Sequence, residues 1–519
     1  MRTYTHTPMK LTALVLALAL AGCAVGPNYD KPPSVDTPTA FKEGQGEWVR
    51  AAPADTLERG PWWQLYDDPV LNDLASRVEV SNQTVAAAVA AYAQARALVA
   101  EQRASLLPVV TLDGGANRSG GRGGTPERNS FSLSLGASWE PDIFGTLARG
   151  VQGAKAGEQA SAADLAAARL AMQGELAVNY FNLREQDAER ALLIQTITGY
   201  ERTLQITNNR YQAAIAAKTD VLQAETQLAN SRADLLGLER TRAQLEHAIA
   251  VLVGQAPANF TIAPRALAVA GVTVSAPPAE AGSVGVGTPA GSPSTVYVSP
   301  SGNSTPTVNP SSAMTAAATQ VVVPDVPLEV PSLLLQRRPD IAAAERRVAQ
   351  ANEQIGIAQS AYYPSLRLSG SAGLGAARIG DLFSASSLVW AFGLSAAQTL
   401  FSGGLRGAQV DSARAGFDKA VANYRQTVLT AFQGVEDQLV ASRVLGQQLA
   451  LRQQASRAAD QVEEQVLNRY KAGQVSYTDV ITAQVTAQNA RRALVQLQSS
   501  RQVASVTLIQ SLGGGWRGL

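Results

Sequence analysis

Cysteine is nearly absent from this chain: one residue in 519, beside only two histidines. A lone Cys cannot build an internal disulfide framework. A structural zinc site takes about four Cys or His ligands, so His- or Cys-ligated metalloenzymes are largely excluded. Charge is scarce as well, at 16% of residues against a usual quarter or so. The net charge of +1 offers no basic field for nucleic acid. A phosphate cradle is missing, because the one Gly-rich run, after Asp113, leads into a strand pattern instead of a helix N-terminus. His6 lies in a segment read below as removed. His247, beside Glu246 in a helical stretch, reads as a surface histidine. No enzyme, cofactor or metal site is expected.

The first residues form an export signal. Arg2 and Lys10 precede an apolar run, Leu11 to Leu20, too short for a membrane-spanning helix, which needs about 20 residues, but the size of a signal-peptide core. Leu20-Ala21-Gly22-Cys23 follows and resembles the bacterial lipobox, which implies cleavage after residue 22, lipid on Cys23 and, with Ala24 next, sorting to the outer membrane. Several acyl chains make a stable anchor. The Pro-rich stretch within 23–60 reads as an extended tether. No later segment has a long uninterrupted apolar run.

The remainder repeats itself. Asn209-Arg210-Tyr211 matches Asn468-Arg469-Tyr470, and Thr219-Asp220-Val221 matches Thr478-Asp479-Val480, both 259 residues apart. The same offset carries Asn230, Arg232, Leu235, Leu238, Arg242 and Gly254 to Asn489, Arg491, Leu494, Leu497, Arg501 and Gly513. Weaker echoes pair Pro108 with Pro364, Phe144 with Phe401 and Arg149 with Arg406. Two copies of one unit are the simplest account: 61–264 and 327–513, each a helix, two strands, a long helix, a tight turn and a helix. The tail is 514–519.

From Arg149 to about Tyr211, and from Arg406 to about Tyr470, neither proline nor Gly-Gly intervenes. Each stretch makes a rod of about 90 Å, far beyond the usual globular helix of about three turns. After each turn a heptad follows. Val221, Leu228, Leu235, Arg242 and Ile249 take a positions, with Ala224, Ser231, Leu238, Leu245 and Leu252 at d; Val480, Ala487, Leu494, Arg501 and Leu508 repeat the register. Small seam residues with polar outer faces suit a wide tube of many helices. An ordinary four-helix bundle shares the heptad but not the helix length or the duplication.

Two regions alternate with period two: Val109 to Leu112 and Ser130 to Trp139 around a Gly-rich tip, and Leu366 to Leu374 and Leu388 to Leu400 around a tip at Ile379 to Ser387. Strands of about ten residues with alternating character are the mark of a membrane β-barrel, whose smallest members have about eight strands. Four strands cannot close, and open edges cannot sit in lipid. Pooled strands from three copies would give twelve.

These residues resemble the TolC-like outer-membrane factors, particularly their NodT-type lipoprotein branch. The resemblance rests on Pro61-Trp62-Trp63-Gln64-Leu65-Tyr66-Asp67-Asp68-Pro69, on Trp139 to Gly145, on Leu334 to Ile341, on the two turns, and on Leu512-Gly513-Gly514-Gly515-Trp516. It implies a mainly α fold with a small β part: a homotrimer with a shared 12-stranded barrel in the outer membrane and an α-helical tunnel in the periplasm. It implies the exit duct of a tripartite efflux system, with a periplasmic adaptor (membrane fusion) protein and an inner-membrane transporter of resistance-nodulation-division type as partners, and outer-membrane lipid around it. At the tunnel tip it implies a Tyr470–Asp220 link between the two hairpins and a constricting ring of Asp479. Thr482 stands where a second acidic ring is common, and Val475 where some members carry a basic residue. Gly473 keeps a turn glycine that Ala214 replaces in the first half. Simple helix capping is the alternative for these tip residues. The 265–326 connector, rich in Ala, Gly, Ser, Pro and Thr, cannot bury a core and exceeds the family's connector. The competing function is a structural trimeric coiled-coil lipoprotein without transport.

Overall fold

The computed structural model describes residues 25–30, 36–44, 61–121, 125–265, 323–324 and 337–514. Cys23 and most of the connector lie outside the described residues. A 3-10 turn, Trp62–Tyr66, leads into α1 (Pro69–Ser81) and α2 (Gln83–Ala104). The strands β1 (Val109–Gly121) and β2 (Thr125–Trp139) follow, then α3 (Thr146–Gln212) and α4 (Lys218–Leu252). The second half runs α5 (Pro339–Ser360), β3 (Ser365–Ala376), β4 (Leu388–Ala397), α6 (Leu405–Lys471) and α7 (Tyr477–Ser511).

Helices α3 and α6 each have 67 residues, about 100 Å of rod, and α4 and α7 each have 35. All their ends are displaced by the same 259 residues. The offset also fixes how the long helices start. Both N-caps are glycines in the left-handed region, Gly145 at φ 79° and Gly404 at φ 89°, a conformation that favours glycine. The expected pairing of Arg149 with Arg406 is thereby corrected: in the common register Arg149 corresponds to Ala408, because the glycine start sets the frame. Upstream, α2 and α5 are both 22 residues long and 256 apart.

The motifs of the first half converge on one core at the level where the short helices meet the long ones. Trp62, Trp63 and Tyr66 are buried with Leu71, Leu74 and Val78 of α1 against Leu176, Tyr180 and Phe181 of α3, Ile249 of α4 and Ile509 of α7. Burying a large apolar side chain contributes about 1.5–3 kcal/mol. Asp68 ties this core together. Its carboxylate accepts from the Val70 and Leu71 amides, capping α1, and from the Tyr180 hydroxyl at 2.7 Å. Asp142 of the second motif does the same for α3, accepting from the amides of Leu147 (3.1 Å) and Ala148 (2.6 Å). Arg338 of the third donates to the Ser511 carbonyl at 2.8 Å, capping the end of α7.

The Pro-rich N-terminal stretch, expected as an extended tether, is held against the helices at several of its described residues. Arg149, buried in α3, pairs with Glu353 of α5 at 2.8 Å and donates to the carbonyls of Gly26 and Pro27, both at 3.0 Å. The Tyr29 hydroxyl donates to Glu345 at 2.6 Å. Further along, Phe41 packs among Val435, Leu439, Leu508 and Leu512, and Arg443 holds Glu43. Proline-rich backbone lacks partners within itself, so helix side chains supply them.

Candidate channel: the membrane sheet and the tunnel tip

The four strands form one antiparallel sheet in the order β1-β2-β3-β4. The Gly-rich run expected as a loose tip is mostly strand: Gly114 to Arg118 pair in register with Leu133 to Asn129. The register sorts the side chains. One face carries Val110, Leu112, Phe131, Leu133, Leu135, Trp139, Leu366, Leu368, Leu374, Leu388, Trp390, Phe392 and Leu394, and its charged residues Arg118 and Glu127 pair with each other at the far end of the first hairpin. The other carries Thr111, Asp113, Ser130, Ser132, Ser134, Ser138, Arg367, Ser369, Ser371 and Ser395. On the apolar face Trp390 is 75% exposed and Phe392 73%. Such a face is stable against lipid, not water. The opposite face is hydroxyl-rich; Arg367 donates to Ser138 Oγ at 3.3 Å. Among the described residues both edges, β1 and β4, lack a neighbour.

At the other end of the long helices lie the two turns. Both close with the same backbone bond. The Ile215 amide donates to the Arg210 carbonyl at 2.8 Å, and the Gln474 amide to the Arg469 carbonyl at 2.9 Å. Each turn needs one left-handed residue, Ala214 at φ 58° and Gly473 at φ 75°. Asp479 is exposed and takes part in a capping box: its carboxylate accepts from the Ser476 amide at 3.0 Å and hydroxyl at 2.8 Å. The first turn has no such cap, since Ala217 holds the position of Ser476. Thr482 is exposed and donates to the Thr478 carbonyl at 2.9 Å.

Tyr470 is buried, with its hydroxyl on Thr207 Oγ1 at 3.4 Å and its ring 5.4 Å from that of Tyr477. Asp220 lies in the first turn of α4; burial first, and this carboxylate's charge in part, push the Tyr477 hydroxyl's pKa up. Besides Thr207, Arg210 joins the hairpins through Tyr470. Its guanidinium lies 4.8 Å over the Tyr470 ring and donates to the carbonyls of Tyr470 (3.0 Å) and Lys471 (3.1 Å). A cation there meets the negative end of α6 and the ring face. The repeated Asn-Arg-Tyr contained this residue, but the two arginines carry no local difference that distinguishes them.

Midway, a buried ion cluster explains the charged heptad position. Arg242 donates to Asp187 at 2.7 Å, Arg184 reaches the same carboxylate at 2.9 Å, and Arg242 also donates to the Ile262 carbonyl at 2.6 Å. Among the described residues no group of acidic, His or Cys side chains is arranged to hold a metal, and His247 is exposed. No helix of the described residues is long and apolar enough to cross a membrane.

The outer membrane efflux protein family matches residues 74–255 and 330–514. The chain belongs to this family. It is 25% identical to the cation efflux system protein CusC of Escherichia coli K12, over 98% of this chain and 100% of that protein. It is 28% identical to the pyoverdine export outer membrane protein OpmQ of Pseudomonas aeruginosa, over 98% of each. Among solved structures it resembles the outer-membrane channel OprN, with a TM-score of 0.76 and 26% identity, covering 95% of this chain and 100% of that one. This protein is therefore an outer-membrane channel component of an efflux system, with the mainly α fold and small β part of that family.

Proposed function

We propose that three copies of this chain form a passive exit duct, anchored by lipid on Cys23 and fed by an inner-membrane pump through a periplasmic adaptor. The carrying observation is the sheet: one apolar face, one hydroxyl-rich face and two open edges. In lipid those edges must pair with other copies, and three copies give twelve strands around a polar lumen. The helices then pool into a tube whose far end holds Asp220, Tyr470, Gly473, Asp479 and Thr482. Three exposed Asp479 carboxylates at that end repel one another and favour cations. An inner-membrane transporter of resistance-nodulation-division type fits a tunnel that lacks its own energy source.

Single-channel recording of purified protein in planar bilayers tests this reading. Conductance is expected, and it should rise when Asp479 is replaced by Ala. A protein that never conducts, with or without that substitution, would be a structural spacer. Palmitate labelling that survives Cys23→Ser would remove the anchor.

A further inference from the structure

Within the chain the first hairpin reaches the second at the tip through Arg210 on Tyr470 and the last carbonyls of α6. Other polar contacts also join α3 to the second half: Arg149 with Glu353, Asp164 with Arg347, Glu189 with Arg492. The 259-residue repeat turns Arg149, Asp164 and Glu189 into Ala408, Asn423 and Gln448, so none of those contacts can recur. Arg210 and Tyr470 are different. Their counterparts are Arg469 and Tyr211, the same two residue types.

Both counterparts are exposed, Tyr211 at 41%, and they sit on the ends of the same two helices. In a closed ring of like hairpins each hairpin has a neighbour on both sides, and a head-to-tail contact repeats until the ring closes. One chain uses the first hairpin's arginine and the second hairpin's tyrosine. The second hairpin's arginine and the first hairpin's tyrosine are left for adjoining copies.

We infer that Arg469 of each copy clasps Tyr211 and the C-terminal carbonyls of α3 in the next copy, reproducing between chains the joint that Arg210 makes within one. This rests on the proposed trimer, and it makes six joints around the tip, alternately within and between chains. The two kinds differ in character. Tyr477, whose ring is tilted against that of Tyr470, maps to Lys218, whose ammonium already lies 5.5 Å over the Tyr211 ring. The joint between chains thus carries Lys218 where the joint within a chain carries Tyr477. It is more charged, more exposed and more easily screened by salt.

The test exploits the near absence of cysteine. The full-length membrane protein carrying Arg469→Cys and Tyr211→Cys is treated with a short bis-maleimide, alongside Arg210→Cys with Tyr470→Cys and the parent chain. The expected result is covalent dimers and trimers from the first pair, a chain-sized product from the second, and neither from the parent. Lysine-reactive cross-linking of the parent reports the trimer independently. A trimer there, with no linkage through the 469 and 211 positions, overturns the clasp and leaves the trimer standing; no trimer overturns both. Should the double-cysteine variant fail to reach the membrane, benzoylphenylalanine at Tyr211 retains an aromatic ring. Its photoadduct should fall on the peptide containing Arg469 of another copy, and an adduct only within its own chain rejects the inference.

Discussion

The two tip turns share one backbone plan and differ in how well their side chains serve it. In the second, Gly473 takes the left-handed position and Ser476 with Asp479 closes a capping box. In the first, Ala214 is held at φ 58° and Ala217 leaves the first amides of α4 without a side-chain acceptor. A left-handed alanine costs about 1–2 kcal/mol, and a missing cap about 1 kcal/mol more. The first turn is therefore the softer of the two. The contrast reverses at mid-height, where the first half buries an ion cluster around Asp187 and the second has Gly446 at the corresponding position. Duplication preserves the backbone path while the stabilising contacts redistribute along it.

That redistribution can be broken at chosen points. The largest effect is expected for Arg242→Leu, which deprives the buried Asp187 of one of its two guanidinium partners. A loss of about 3 kcal/mol should appear as a lower midpoint in thermal unfolding of the detergent-solubilised protein. Arg501→Leu, the equivalent change where Gly446 replaces the carboxylate, should stay within about 1 kcal/mol. Equal losses at both sites would remove the asymmetry.

Gly254 and Gly513 end the two short helices, at φ 70° and 92°. A Cβ on Gly254 would stand 2.2 Å from the Ser81 carbonyl oxygen, whereas on Gly513 the nearest atom, the Arg337 carbonyl oxygen, is at 3.1 Å. Gly254→Ala should cost about 2–3 kcal/mol, through the backbone conformation and the clash, and Gly513→Ala about 1–2 kcal/mol, chiefly through conformation. Parallel unfolding curves of the two variants measure the difference.

At the tip the changes are smaller and of opposite sign. Ala214→Gly should slow hydrogen exchange of the amides around residues 213–221, by the equivalent of about 1 kcal/mol. Ser476→Ala should speed exchange at the start of α7 by a similar amount. Ala217→Ser, giving the first turn the cap it lacks, should recover a few tenths to about 1 kcal/mol at the start of α4. If the first turn already exchanges more slowly than the second in the parent protein, the ranking of the turns is wrong.

Much of this molecule was legible in the order of its residues because its regularities are periodic. The 259-residue offset, the heptads and the strand alternation each survive without knowledge of any long-range contact. What could not be read were contacts between segments far apart in the chain. The Pro-rich stretch read as an extended tether, and its contacts were hidden because its partners, Arg149, Glu345 and Glu436, lie on helices more than a hundred residues away. The Gly-rich run looked like a loop because only the facing strand supplies its ladder. Arg210 and Arg469 share one local motif, and only the packing of α3 against the second half decides that one is bound within the chain. The amino-acid order by itself determined which segments are rods, which are strands and that the unit occurs twice, since those follow from local periodicity. Which of two identical side chains finds a partner, and where an isolated strap comes to rest, only tertiary structure decided, because such contacts depend on distances in space that the spacing along the chain does not encode.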